Sequence, residues 1–220
     1  TFSQSVDTNL GLPEVTDSSG SSTSMAYDST GNNTSTTDGN GNTTRFSYDA
    51  NGNLLSVTDP LGGTATYTYD SSNNLVSSQV GGDGNTYGAT TYAYDPMNRL
   101  ASVTDANGRT TANAYDPNGN LARVTHPGGD RVDYTYDGTN KPTQVAYNGV
   151  VKYQFSYDPN GNPTSMTVPG EPEPFRYTWN QQNRPVAVTE PSGNGFDYDY
   201  DPAGNVTQVA ATVAGAVYTV

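Results

Sequence analysis

The stretch Phe46-Ser47-Tyr48-Asp49-Ala50-Asn51-Gly52-Asn53-Leu54-Leu55-Ser56-Val57-Thr58-Asp59-Pro60-Leu61-Gly62 holds one unit of a pattern that recurs along the chain. Its Tyr-Asp pair returns at Tyr27-Asp28, Tyr69-Asp70, Tyr94-Asp95, Tyr115-Asp116, Tyr136-Asp137, Tyr157-Asp158 and Tyr200-Asp201, and Trp179-Asn180 fills the remaining slot. The steps between these positions are 21, 21, 25, 21, 21, 21, 22 and 21 residues. Self-similarity at a fixed period of this length marks a repeat architecture. The step of 25 absorbs a small insertion around Gly81 to Gly84. Stepping back from Tyr27 reaches Val6-Asp7 and then Val15-Thr16-Asp17, a degenerate first copy.

Within a unit, Tyr48 and the aromatic two residues before it, Phe46, fall on one face of a strand. The same upstream place holds Met25, Tyr67, Tyr92, Tyr134, Phe155, Tyr177 or Tyr198, with Asn113 the polar exception. Aromatic and Thr residues in alternation are what a half-buried antiparallel strand requires. After the Tyr comes turn chemistry, fullest in Asp116-Pro117-Asn118-Gly119 and Asp158-Pro159-Asn160-Gly161. Asp accepts a backbone N–H and Pro presets φ for the second turn position. The fourth position is Gly31, Gly52, Asn73, Asn98, Gly119, Asn140, Gly161, Asn183 or Gly204. Gly and Asn are the residues that best tolerate φ > 0, so a type I turn closed by a bulge residue is expected. The return strand opens with Leu54, Leu75, Leu100, Leu121, Pro142, Pro163, Pro185 or Val206, and an apolar residue such as Val57 or Val124 follows three later. That separation implies either a bulge or a sheet covered on both faces.

The expected fold is therefore all-β: tandem antiparallel β-hairpins of 21 residues forming a curved or spiralling strip, a single array over residues 1–220. Residues 1–26 are the degenerate first repeat, 27–80 and 94–220 the regular ones, and 81–93 an insertion and strand. Hydrophobic residues make up only 32% of the chain and the net charge is −13, a balance that alone points to disorder, but 17 tyrosines in register argue otherwise. No cysteine is present, so neither a disulfide nor a thiolate metal site is available. Nine basic residues against 22 acidic ones disfavour nucleic acid. No apolar run is long enough for a helical membrane span. Residues 1–10 carry no signal peptide pattern, so any export signal is expected to have been removed or to lie upstream.

The pattern from Phe46 to Gly62, registered in nine copies, resembles the Rhs/YD-repeat family. The resemblance implies strips of β-hairpins spiralling into a hollow shell, which in insecticidal toxin complexes and Rhs polymorphic toxins encloses a toxic C-terminal segment. Related repeats occur in teneurins and in bacterial wall-associated proteins. Rhs toxins also carry an aspartyl self-cleavage core; Asp201-Pro202-Ala203-Gly204 resembles part of it but fits the ordinary turn register. The next Tyr falls due just after Val220, so the chain reads as an internal fragment of a longer polypeptide.

Candidate chemistry is sparse, and no catalytic, cofactor or metal residue is assigned. His126, the sole histidine, occupies a slot held by Asp59 and Asp105 in other copies and reads as a solvated loop residue rather than a general base. Asp49 to Asn53, Asp116 to Asn120 and Asp38 to Asn42 imitate the start of a calcium loop, but a bidentate Glu at the right spacing is missing. The turn reading explains the same residues, leaving at most weak calcium attraction along an edge whose turns lie about 10 Å apart. The aromatic rows suggest strand packing before carbohydrate binding, with Trp179 the ring to test. About ten hairpins span a ribbon of roughly 1,900 Å², about half the wall needed around a guest of ~100 residues. The expected function is non-catalytic: part of the shell of a secreted or surface bacterial protein that encloses a toxic C-terminal domain. Its partners would be the remaining repeats and that effector domain, with self-association through strand edges. The alternative is an extracellular adhesion or glycan-binding stalk.

Overall fold

The structure is a computed structural model that describes residues 3–6, 13–16, 22–82 and 85–219. Among these, every regular element is a β-strand. Two compact units divide the chain, Thr1–Ala112 and Asn113–Val220. The first contains β1 (Ser3–Val6), β2 (Pro13–Thr16), β3 (Ser22–Tyr27), β4 (Asn33–Thr37), β5 (Thr43–Tyr48), β6 (Leu54–Thr58), β7 (Thr64–Tyr69), β8 (Leu75–Gly82), β9 (Asn85–Thr86), β10 (Thr90–Tyr94), β11 (Leu100–Thr104) and the start of β12 (Thr110–Tyr115). Successive strands pair antiparallel, and β8 pairs with both β9 and β10. The insertion expected near residue 81 is thus a lengthened β8 folded against a two-residue strand, Gly81 opposite Thr86. The degenerate first copy is a hairpin too: Gln4 faces Val15 as Met25 faces Thr36, one period on. Its Asp7 and Asp17 lie outside the described residues.

The second unit continues with β13 (Leu121–Thr125), β14 (Arg131–Tyr136), β15 (Pro142–Tyr147), β16 (Val150–Tyr157), β17 (Pro163–Thr167), β18 (Phe175–Trp179), β19 (Pro185–Thr189), β20 (Gly195–Tyr200), β21 (Val206–Val213) and β22 (Ala216–Thr219). From β13 to β22 each strand pairs antiparallel with the next.

A bulge resolves the separation of three in the return strands. In β5–β6, Phe46 faces Val57 and Ser47 faces Ser56, but Tyr48 faces Leu54, so Leu55 is the extra residue. The register shifts at the same place before Tyr27, Tyr69, Tyr94, Tyr136, Tyr157, Trp179 and Tyr200. The bulge returns Leu54 and Val57 to the face that carries Phe46 and Tyr48. One face is therefore aromatic and aliphatic, and the other is polar. On the polar face Ser47 and Ser56 hydroxyls meet at 2.6 Å, Thr37 meets Thr43 at 2.9 Å, and Arg123 pairs with Asp133. Each unit is one sheet thick: among the described residues only Ala146 and Gly195 are buried. The aromatic face is half-covered by its own neighbours and has no second layer there.

Candidate functional site

The Tyr-Asp turns are three-residue loops. Asp49 N–H donates to the Asn53 carbonyl (2.9 Å) and Gly52 N–H to the Asp49 carbonyl (3.1 Å). Gly52 stands at φ +83°, and all nine residues at this position have φ > 0, from Asn183 at 56° to Gly204 at 97°. The Asp carboxylate clamps the turn. Asp49 Oδ1 accepts from the Asn51 and Asn53 N–H groups, each at 2.9 Å, and Oδ2 accepts from Asn53 Nδ2 at 2.9 Å. These bonds favour the charged carboxylate. The Asn53 side chain and backbone hold Asp49 below the usual range, and Thr30 and Asn32 bring Asp28 down to about 2. The oxygens a calcium ion would use are thereby already committed, and no three His, Cys, Asp or Glu side chains converge among the described residues. Asn180 makes the same turn without a charge, its Oδ1 accepting from Gln182 and Arg184 N–H, both at 3.0 Å.

The opposite edge repeats this geometry, as the sequence had indicated for Asp38 to Asn42 alone. Asp38, Asp59, Asp105, His126 and Glu190 each open a turn in which the residue three on donates its N–H back. His126 is exposed and opens such a turn, its N–H donating to the Asp130 carbonyl at 2.7 Å. Asp201 to Gly204 is likewise an ordinary turn of the first kind.

Adjacent Tyr-side turns touch in one of two ways. Where the φ > 0 residue is Asn, its amide oxygen accepts from the Asn that ends the preceding turn: Asn53 to Asn73 (2.9 Å), Asn74 to Asn98 (3.2 Å), Asn120 to Asn140 (2.8 Å) and Asn162 to Asn183 (2.8 Å). Where that residue is Gly161 or Gly204, the preceding turn ends in Lys141 or Arg184, whose side chain fills the place of the missing Cβ at 2.6 Å. These cations continue over the next ring, Lys141 Nζ 5.7 Å from Tyr157 and Arg184 5.6 Å from Tyr200. Asn32 faces Gly52 without an amide to meet, and a polar recess of about 470 Å³ opens there.

The tyrosines themselves do more than pack. Neighbouring hairpins pair over few residues; β17–β18 joins only Ser165 to Arg176 and Met166 to Phe175. The carbonyl at the start of the return strand lies beyond that ladder. The next repeat's ring reaches back to it: Tyr94 Oη donates to Leu75 O (3.0 Å), Tyr136 to Leu121 O (2.9 Å), Tyr157 to Pro142 O (2.8 Å) and Tyr200 to Pro185 O (2.7 Å). Trp179 does the same with Nε1, 2.6 Å from Pro163 O. Half-buried and tied in this way, Trp179 is a structural member of the row. The available signal was composition by position: the nine slots hold Tyr or Trp, both donors, and never Phe, although Phe46 and Phe155 occupy the slot two residues earlier.

With this geometry in hand, the comparisons agree. A family model described as RHS Repeat matches residues 27–64, 48–86 and 179–217, and one described as Teneurin YD-shell matches residues 84–174. The crystal structure of TcdB2-TccC3 is similar at 16% identity with a TM-score of 0.51, over 91% of this chain and 16% of that one. TcdB2-TccC3 without hypervariable C-terminal region is similar at 16% identity with a TM-score of 0.50, over 92% and 15% of the two chains. At such identity the likeness is one of fold, and the chain spans about 16% of the length of the first of these structures. No curated protein sequence matches significantly. Among the described residues no helix is long and apolar enough to cross a membrane.

Proposed function

We propose that this chain, which is an array of Rhs/YD repeats, is a non-catalytic segment of the wall of a larger β-shell. The shell belongs to a secreted or cell-surface protein and isolates a toxic C-terminal domain of the same polypeptide. The observation that carries this reading is the tie from Tyr94, Tyr136, Tyr157, Trp179 and Tyr200, each to the hairpin before it. It fastens hairpin to hairpin beyond the backbone ladder and leaves one face aromatic and the other polar. A wall needs that combination: continuous hydrogen bonding along its length, and two faces that meet different surroundings. The work is mechanical, since the carboxylates of the Tyr-Asp pairs are spent on their turns and the single histidine opens one.

The remaining YD repeats and the effector domain are the partners this reading requires. Cryo-electron microscopy of the full-length parent, with limited proteolysis of its C-terminal domain, tests it. The expected result is a hollow particle in which that domain resists protease until the shell is opened. An open rod, or a C-terminal domain cut as fast as a free one, refutes it.

A further inference from the structure

We propose that the second unit carries a binding groove for a basic polypeptide segment, formed where the turn edge opposite the Tyr-Asp turns departs from the repeat. The connection from Thr167 to Phe175 is Val168-Pro169-Gly170-Glu171-Pro172-Glu173-Pro174, longer than the Asp59 to Gly63 connection of a regular copy. Glu171 N–H donates to the Val168 carbonyl at 3.1 Å with Gly170 at φ +100°, a type II turn with Pro in its preferred place. Two further prolines, Pro172 and Pro174, stiffen the rest, so the rim is set before any ligand arrives.

Beneath this rim lies an open groove of about 490 Å³, lined by Tyr153, Met166, Val168 and Phe175 with Glu171 and Glu190. Tyr153 is steadied outside the groove by stacking on Phe155, centroids 6.4 Å apart. Tyr153 is 43% exposed because β15 and β16 run past the regular strand end to a tight Asn148-Gly149 turn.

The two carboxylates are free in a way the others are not. Asp38, Asp59 and Asp105, at the place of Glu190, each accept two N–H groups of their own turn. Glu190 is one methylene longer; its carboxylate leaves that position and takes only a 3.5 Å contact from Ser192. Arg176 alternates to the other face and is occupied by Glu173 at 3.4 Å, and Lys152, the bulged residue beside Tyr153, is not among the residues that line the groove. The groove thus combines flat rings with uncompensated negative charge, which suits an arginine or lysine whose stem lies on the rings and whose head reaches the carboxylates. A second copy of this chain is a poor occupant, because its net charge is −13.

The probe is a short, acetylated and amidated peptide with one arginine flanked by leucines, titrated into the 220-residue chain by calorimetry at low and physiological ionic strength. Binding should weaken about tenfold when glutamine replaces the arginine, and to a similar degree in Glu171→Gln/Glu190→Gln. Tyr153→Ala should also weaken it, while Asp28→Asn/Asp49→Asn, at the other turn edge and in the first unit, leaves it unchanged. Equal affinity for the glutamine peptide, equal loss in Asp28→Asn/Asp49→Asn, or no heat at millimolar peptide each overturns the proposal.

Discussion

Replacing Gly161 by Asn should destabilise the second unit while Lys141 is present and cost little once Lys141 is also replaced by Asn. A Cβ on residue 161 would sit 2.6 Å from Lys141 Cε and 3.2 Å from Nζ. The lysine can swing aside, but it then leaves Thr139 Oγ1 (2.8 Å) and the Tyr157 ring (5.7 Å). An exposed cation–π contact contributes about 0.5–1 kcal/mol, so Gly161→Asn loses about that much. Lys141→Asn alone loses the same contact and leaves its amide facing a glycine. The double variant recreates the pair seen at Asn120–Asn140 and Asn162–Asn183, both at 2.8 Å, and regains about 0.5–1.5 kcal/mol. The cycle should therefore show a favourable coupling of about 1–2 kcal/mol. Trp179 is the sole tryptophan, lies in the same unit and is tied to Pro163, so its fluorescence in a urea titration reads the relevant hairpins. Coupling below about 0.3 kcal/mol, the usual scatter of independent sites, would show that the two kinds of turn contact are not matched pairs.

Tyr157→Phe keeps the ring and deletes the bond to Pro142 O, so a loss of about 1 kcal/mol is expected by chemical denaturation; wild-type stability would remove the case for the tie. Gly195→Ala places a Cβ against the Val188 carbonyl, a backbone atom that cannot swing away. That overpacking should cost about 1–3 kcal/mol, seen as a lower thermal midpoint, and an unchanged midpoint would contradict it. Acid should loosen the turns. An Asp whose folded pKa lies below its unfolded value near 3.9 stabilises the fold above that value, and the contribution is lost as pH falls through the folded pKa. Asp28 sits at about 2 and Asp38, Asp49, Asp70 and Asp158 are also lowered, so melting midpoints should drop between about pH 4 and 2. Asp49→Asn should preserve the turn, as Asn180 does, and reduce that drop; an unreduced drop counts against the clamp as its source.

The strands, the turns and their closing Gly or Asn were legible in the sequence because each rests on local chemistry. All nine predicted φ > 0 positions have that backbone. The spacing of Leu54 and Val57 left bulge and two-sided cover as alternatives, since periodicity reports faces and does not count residues opposite a partner. The bulge before each Tyr decided it. The bond from Tyr to the previous hairpin was hidden for another reason: it joins residues 15 apart, Tyr136 to Leu121, through a backbone atom that has no letter in the sequence. The groove at Glu171 was missed because it is an exception to the repeat, and a reading built on periodicity discounts exceptions.

The direction of the aromatic tie also bears on how such a chain comes to be ordered. The ties described above all run from a later residue to an acceptor earlier in the chain, Tyr157 to Pro142 and Tyr200 to Pro185 among them. A hairpin that has just left the ribosome therefore finds its docking point in sequence already made, and needs nothing that is still to be synthesised. Loops this short close at little entropic cost, and contacts between near neighbours in sequence favour fast folding. Assembly can keep pace with translation, one hairpin at a time, with the newest edge always the one exposed.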